Sequence, residues 1–225
     1  MADILMTGAD GVIGTILRHP LDMAIKPFKG DARKYDSVLQ QAEGCRAIVH
    51  LAWNTESDNH QSDYADPENL AMAQNVLGAA AARKIKRVIF ASSIHADMPV
   101  HEPGGLRSPY RTPEPDSPYG ANKVAVEALS RVYARRKGLE VVCIRFGWVS
   151  PNINDKPDPT GPYPLGEGWL SHRDCITLVA RCINAPQVPD NYAIVYGVSW
   201  RAGGVHDLGN PFDWVPSDKY TAEAG

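Results

Sequence analysis

The chain has 225 residues, 44% of them hydrophobic and 22% charged, and carries a net charge of −3 at neutral pH. That make-up describes one globular domain with room for a sizeable core. It excludes the basic footprint of a nucleic-acid binder, and its apolar runs fall well short of the roughly 18 residues that a membrane span needs.

Ile4 to Thr7 is a short apolar run that ends in a glycine cluster, and Val12 to Arg18 has a helical pattern. Ala47 to Ala52 (AIVHLA) and Arg87 to Ala91 (RVIFA) are unbroken apolar runs, the mark of strands covered on both faces. An alanine-rich helix over Asn69 to Arg83 separates them. A helix over Ala121 to Arg136 follows, closed by Gly138 as a C-cap. Val141 to Phe146 reads as a strand, Cys175 to Ile183 as a helix and Tyr192 to Val198 as a last strand. This alternation predicts an α/β fold: a Rossmann-like, doubly wound parallel sheet in a single domain over 1–225.

Two stretches interrupt the rhythm. Asp97 to Pro118 carries six prolines, and Ser150 to Gly168 carries five prolines and three glycines. Both are too long for plain connections, so segments 97–118 and 150–172 are expected to be loops on the substrate side. Cys45, Cys143, Cys175 and Cys182 lie without CxxC spacing and read as reduced thiols, with no metal site. The opening Met1-Ala2-Asp3-Ile4-Leu5 enters a strand directly, without a basic leader, so a cytoplasmic protein is expected.

Thr7-Gly8-Ala9-Asp10-Gly11-Val12-Ile13-Gly14 lies between the first strand and the first helix. There Gly8 permits a tight turn, Gly11 lets backbone approach a pyrophosphate, and Gly14 lets the helix pack on the sheet. The helix start presents free N–H groups to the phosphates. The spacing is GxxGxxG rather than GxGxxG, and its position predicts dinucleotide binding. Tyr119-Gly120-Ala121-Asn122-Lys123 sets a phenol and an ammonium four residues apart, on one helix face. The cation is expected to draw the Tyr119 pKa down towards the working pH of a general acid or base. Ser92 and Ser93 close a buried strand at the end where open α/β sheets bind ligands, so a serine hydroxyl can orient a substrate oxygen beside the tyrosine.

These residues carry a resemblance to the extended short-chain dehydrogenase/reductases. It covers nearly the whole chain: the TGxxGxxG turn, His50 to Ala52 (HLA), Asn69 to Leu77, Ile89 to Ser93 (IFASS) and YGANK. The resemblance implies an NAD-dependent oxidoreductase with Ser93 as catalytic serine, Tyr119 as acid/base and Lys123 also holding the nicotinamide ribose. It further implies cofactor contacts from Gly8, Asp10, Gly11, Val12, Ile13, Asp31, Ala32, Leu51, Ala52, Trp53 and Asn69. Within the family the chain resembles the uronate dehydrogenases, through Ser92 to His95, Trp169 to Asp174, Ala193 to Ser199 and Phe212 to Pro216. That likeness implies oxidation of the C1 hydroxyl of a hexuronate or related aldose to a lactone. Thr55 and His95 match positions that bind the sugar. It also implies a homodimer through the Asn69 to Arg83 and Ala121 to Arg136 helices.

Four departures qualify the resemblance. Ile94 stands in place of a substrate-binding Asn, and Trp148 in place of a Ser. No Arg lies between Phe146 and His172 to clamp a carboxylate, which leaves Lys156 or Arg173 as substitutes. Only sixteen residues separate Gly14 from Asp31, so the second strand and helix are expected to be shortened or absent. In that interval Asp22 is the only acid available to read a ribose 2′-hydroxyl, whereas Arg18, His19 and Lys26 would suit the 2′-phosphate of NADP. Two other readings compete. One is a sugar-nucleotide epimerase or dehydratase, which needs a larger substrate region than the little chain after Val198. The other is a non-catalytic dinucleotide sensor, which has no use for Ser93, Tyr119 and Lys123.

Overall fold

A computed structural model describes residues 3–18, 24–98, 106–152 and 168–220 of the chain. Six strands form one sheet in the order β2-β1-β3-β4-β5-β6, and every pairing is parallel. They are β1 (Ile4–Thr7), β2 (Ile25–Pro27), β3 (Ala47–His50), β4 (Arg87–Ser93), β5 (Glu140–Phe146) and β6 (Tyr192–Gly197). The helices are α1 (Val12–Arg18), α2 (Tyr35–Gln41), α3 (Pro67–Ala82), α4 (Pro118–Lys137) and α5 (His172–Asn184).

The strand side chains alternate between two cores, which is why the strands read as unbroken apolar runs. Ile4, Met6, Ala47 and Val49 face α1 and α5, with Leu17, Cys175 and Leu178. Leu5 and Ile48 face the opposite layer of α2, α3 and α4, with Val38, Val76 and Val126. The doubly wound single sheet is therefore as expected.

Helix starts fall earlier than periodicity alone suggests. Asp66 caps α3 by accepting from the Glu68 N–H, and Pro67 fills the first helical position. Ser117 and Pro118 do the same for α4, so Tyr119 lies inside its first turn. Proline fits there because that N–H has no helical partner. Strand β3 stops at His50, since Leu51 still donates to the Thr7 carbonyl but Ala52 turns to the Thr7 hydroxyl.

Strand β2 is present but only three residues long, so the second unit is shortened rather than lost. Compared with the 3-2-1-4-5-6 order of a dinucleotide-binding sheet, the outer third strand is missing and one further strand is added at the opposite edge. The short helix α2 carries no capping side chain, which is why the sequence pattern did not announce it.

Buried Arg87, at the start of β4, ties the far end of the sheet. Its Nε donates to Glu140 at 2.8 Å, and its Nη1 donates to the carbonyls of Cys182, Ile183 and Ala185, closing the C-terminus of α5. The C-terminal region folds back over α5: Phe212 and Trp214 join the core, and the Trp214 indole donates to Thr177 at 3.0 Å. A two-residue ladder pairs β7 (Trp200–Arg201) with β8 (Lys219–Tyr220). All four cysteines are free, and Cys143, Cys175 and Cys182 are buried. Among the described residues no helix is long and apolar enough to cross a membrane, and no group of side chains could hold a metal.

Candidate active site

The strand order reverses between β1 and β3, and the crevice at such a reversal is where open α/β sheets take their ligands. The β1–α1 turn sits there. Gly8 has φ +67°, and a Cβ on it would lie 2.6 Å from the Ala52 nitrogen. A Cβ on Gly14 would collide with the Gly8 carbonyl and Ala9. The fold itself therefore demands both glycines. Gly11 differs, because its Cβ would meet nothing nearer than the Gly8 carbonyl at 3.4 Å. Only a ligand laid against the backbone gives Gly11 a reason to be glycine, and this open cradle fits a pyrophosphate. Asp10 and Val12 are exposed beside it, with Ile13 and Leu51 partly buried behind.

Past β2, Asp31 is held by Arg33, whose Nε and Nη2 donate to its two oxygens at 2.9 Å each. This hydrogen bonding holds the Asp31 carboxyl below the usual carboxylate range. Ala32 is buried, and its carbonyl accepts from Asn75. Of the cations noted for a 2′-phosphate, Arg18 pairs with Asp10 at 2.9 Å and Lys26 donates to the Gln41 carbonyl at 2.8 Å. His19 and Asp22 lie outside the described residues.

Ser93 ends β4, and its Oγ accepts from the His95 N–H, capping a 3-10 turn over Ile94–Asp97. The Tyr119 side chain lies beside that of Ser93, which acts to lower the pKa of the phenol. Gly120 lets α4 press against this turn, where any Cβ would strike the His95 carbonyl. One helical turn on, Lys123 is buried and its Nζ donates to the Ala91 carbonyl at 2.9 Å. The same Nζ lies 3.3 Å from the centre of the Trp53 ring and 5.3 Å from that of Tyr119.

The electrostatics reverse one expectation. Tyr119 is not drawn down by Lys123. Burial pushes it up to about 12, against the lowering influence of the Ser93 side chain, and the carboxylates of Asp58 and Asp116 add to the rise. Burial likewise pulls Lys123 down to about 7, opposed by Asp58 and Glu127. The spacing of the pair said nothing of how deeply both groups are desolvated.

The sugar-side candidates divide. His95 lies edge-on to Tyr119 with ring centres 5.8 Å apart, and its Nδ1 is 2.7 Å from the Asp116 carboxylate. His60 stacks on it at 5.0 Å. Ser93, His95, Tyr119, Lys123 and Trp53 thus form one cluster. Thr55 is exposed on the neighbouring loop. The Ile94 side chain is buried with Tyr196 and Val198 instead. Trp148 is half-exposed, and its backbone bridges to Trp169. Asn69 is fully buried behind the cluster, accepting from the Asn54 N–H and donating to Asp58, so it shapes the loop rather than lining an open surface. Arg173 is paired with Asp218 in the C-terminal region, and Lys156 lies outside the described residues.

Sequence reasoning missed Asp58 and Asp116. Asp116 had a weak signal in the Asp116-Ser117-Pro118 helix entry. Asp58, in a polar stretch, had none. Beneath the site, fully buried Arg145 donates twice to Glu127, at 2.9 and 2.8 Å, and Ser92 donates to the same carboxylate.

Comparison with known proteins agrees with this geometry. Residues 4–165 match the NAD dependent epimerase/dehydratase family. The chain is 32% identical to an L-arabinose 1-dehydrogenase (NAD(P)(+)) of Haloferax volcanii, over 85% of each chain. It is 31% identical to a uronate dehydrogenase of Pseudomonas syringae, over 96% of this chain and 82% of that one. The structure of a variant uronate dehydrogenase from Agrobacterium tumefaciens, complexed with NAD, superposes with a TM-score of 0.78 at 26% identity, covering 98% of this chain and 86% of that one.

Proposed function

Because the chain belongs to the NAD dependent epimerase/dehydratase family, we propose that it is an NAD-dependent dehydrogenase oxidising the C1 hydroxyl of a cyclic sugar or sugar acid to a lactone. The observation that carries this reading is Tyr119 set beside Ser93 at the ligand end of β4, with Lys123 one turn along the same helix and its Nζ 5.3 Å from the centre of the Tyr119 ring. A binding-only protein has no need of that set. The sugar dehydrogenases among its relatives support the substrate class.

In this reading the Gly8 to Gly14 turn holds the pyrophosphate, Leu51 and Ala52 line the cofactor, and Asp31 faces its adenine. Bound NAD supplies the two-electron acceptor. Ser93 Oγ and Tyr119 Oη both hydrogen-bond the C1 oxygen, and Tyr119 takes its proton. Lys123 offers a cation where that proton leaves. His95, fixed by Asp116, and Thr55 hold ring hydroxyls. With Arg173 paired to Asp218, discrimination for a uronate over its neutral aldose is expected to be loose. A missing charged hydrogen bond is worth roughly 1.5–3 kcal/mol, or about ten- to a hundredfold. The reading extends to a cytoplasmic homodimer through α3 and α4, and light scattering at micromolar concentration tests the dimer.

The enzymatic test is NAD reduction against glucuronate, galacturonate, glucose, galactose and L-arabinose. Turnover is expected on at least one, falling about a hundredfold or more in Tyr119→Phe with NAD binding kept. Undiminished turnover in that variant overturns the role of Tyr119. A preference for uronate above about a thousandfold overturns the expectation of loose specificity.

A further inference from the structure

Three carboxylates bear on the Tyr119–Lys123 pair, and two of them have partners that account for them. Glu127 accepts two bonds from the Arg145 guanidinium and one from Ser92. Asp116 is paired with His95 at 2.7 Å. The third, Asp58, has no exposed surface and sits under the pair on the loop after β3. Its Oδ2 accepts from the side-chain amides of Asn122, at 2.7 Å, and Asn69, at 2.9 Å. Its Oδ1 is buried without a hydrogen-bond partner.

That last oxygen is informative. Both bonds to the Asp58 carboxylate are accepted by one atom, and the oxygen of an asparagine amide could accept them equally well. The amide nitrogen would then replace Oδ1, where no bond exists to be broken. Hydrogen bonding therefore does not explain why the residue is an acid, and a buried charge is costly unless something uses it. Two contacts tie the residue to the active site. Asn122 lies between Tyr119 and Lys123 on α4, and the Asp58 carbonyl accepts from the indole of Trp53, whose ring covers the Lys123 ammonium.

We propose that Asp58 is a positioning residue whose negative charge keeps the Lys123 ammonium protonated within the buried site and thereby sets the pH range in which Tyr119 works. The inference rests on the dehydrogenase reading above. Lys123 is surrounded by Asp58, Glu127, Cys143 and His50, and Tyr119 by Asp58, Asp116 and His95. Asp58 is the acid common to both groups. It raises the proton affinity of each, against burial for Lys123 and along with burial for Tyr119. Removing its charge must lower both, so the two limbs of the rate profile, which belong to the Tyr119–Lys123 pair as a unit, move to lower pH together.

The test is Asp58→Asn, with Asp58→Ser as a second neutral variant should the first fail to fold. Protein labelled with 13C at the lysine ε-carbons is titrated without cofactor, and the Lys123 signal is assigned by its loss in Lys123→Met. The Lys123 midpoint is expected to fall by about half a pH unit or more, and the kcat/KM–pH profile to shift the same way. A folded neutral variant with an unchanged Lys123 midpoint overturns the proposal, because a merely structural Asp58 would leave it in place. If the wild-type protein oxidises no sugar in the panel, the dehydrogenase reading fails, while the cofactor-free titration still decides whether Asp58 holds the lysine charge.

Discussion

Lys123→Met separates the stability of this protein from its chemistry. Lys123 is 3% exposed, and burial takes its pKa from 10.5 in the unfolded chain to about 7 in the fold. Between those values the unfolded chain holds a proton that the folded protein has released, so stability from this group rises with pH across the window. Below about pH 7 the folded protein carries the full penalty of the buried ammonium. At ~1.4 kcal/mol for each tenfold in the equilibrium, that penalty approaches roughly 5 kcal/mol. Methionine matches the length of the chain without the charge. It also loses the bond to the Ala91 carbonyl, worth roughly 1.5–3 kcal/mol, and the contact with the Trp53 face, worth about 1 kcal/mol. A net stabilisation of about 1–3 kcal/mol is expected at pH 6, shrinking to nothing or reversing near pH 10. Urea unfolding of both proteins at several pH values between these limits measures it. A variant less stable than wild type at pH 6, or a difference independent of pH, would refute the reasoning. The same variant should be nearly inactive, since the site retains this lysine against the interest of the fold.

Other expectations rest on single features of the structure. Gly11→Val should leave the melting temperature of the free protein almost unchanged, because a Cβ there meets nothing nearer than the Gly8 carbonyl at 3.4 Å, yet abolish the stabilisation given by saturating NAD. A retained NAD shift would remove the pyrophosphate from this turn. Arg87→Leu strands the Glu140 carboxylate and three carbonyls at the end of α5, and should lower stability by about 3–5 kcal/mol in chemical denaturation. A loss below about 1 kcal/mol would mean that these groups find water instead.

The sequence by itself determined whatever depends on neighbours along the chain. Runs such as Ala47 to Val49 and Arg87 to Phe90 announced strands covered on both faces, because each successive residue had to find a core. The glycine turn and the Tyr119/Lys123 spacing were legible for the same reason: a turn and a helix face are defined within a few residues. The Pro67 and Pro118 helix starts were also present in the sequence, although periodicity alone placed both starts too late. Tertiary structure alone decided the rest. It put Ile94 into an apolar cluster with Tyr196, and it paired Arg173 with Asp218. It brought Asp58 beneath a helix more than sixty residues further along, held there by Asn122. It also reversed the expected direction of the tyrosine's pKa, through burial and carboxylates rather than through the lysine. A pKa is set by everything packed around a group, and burial and distant carboxylates enter that sum with no trace in local spacing.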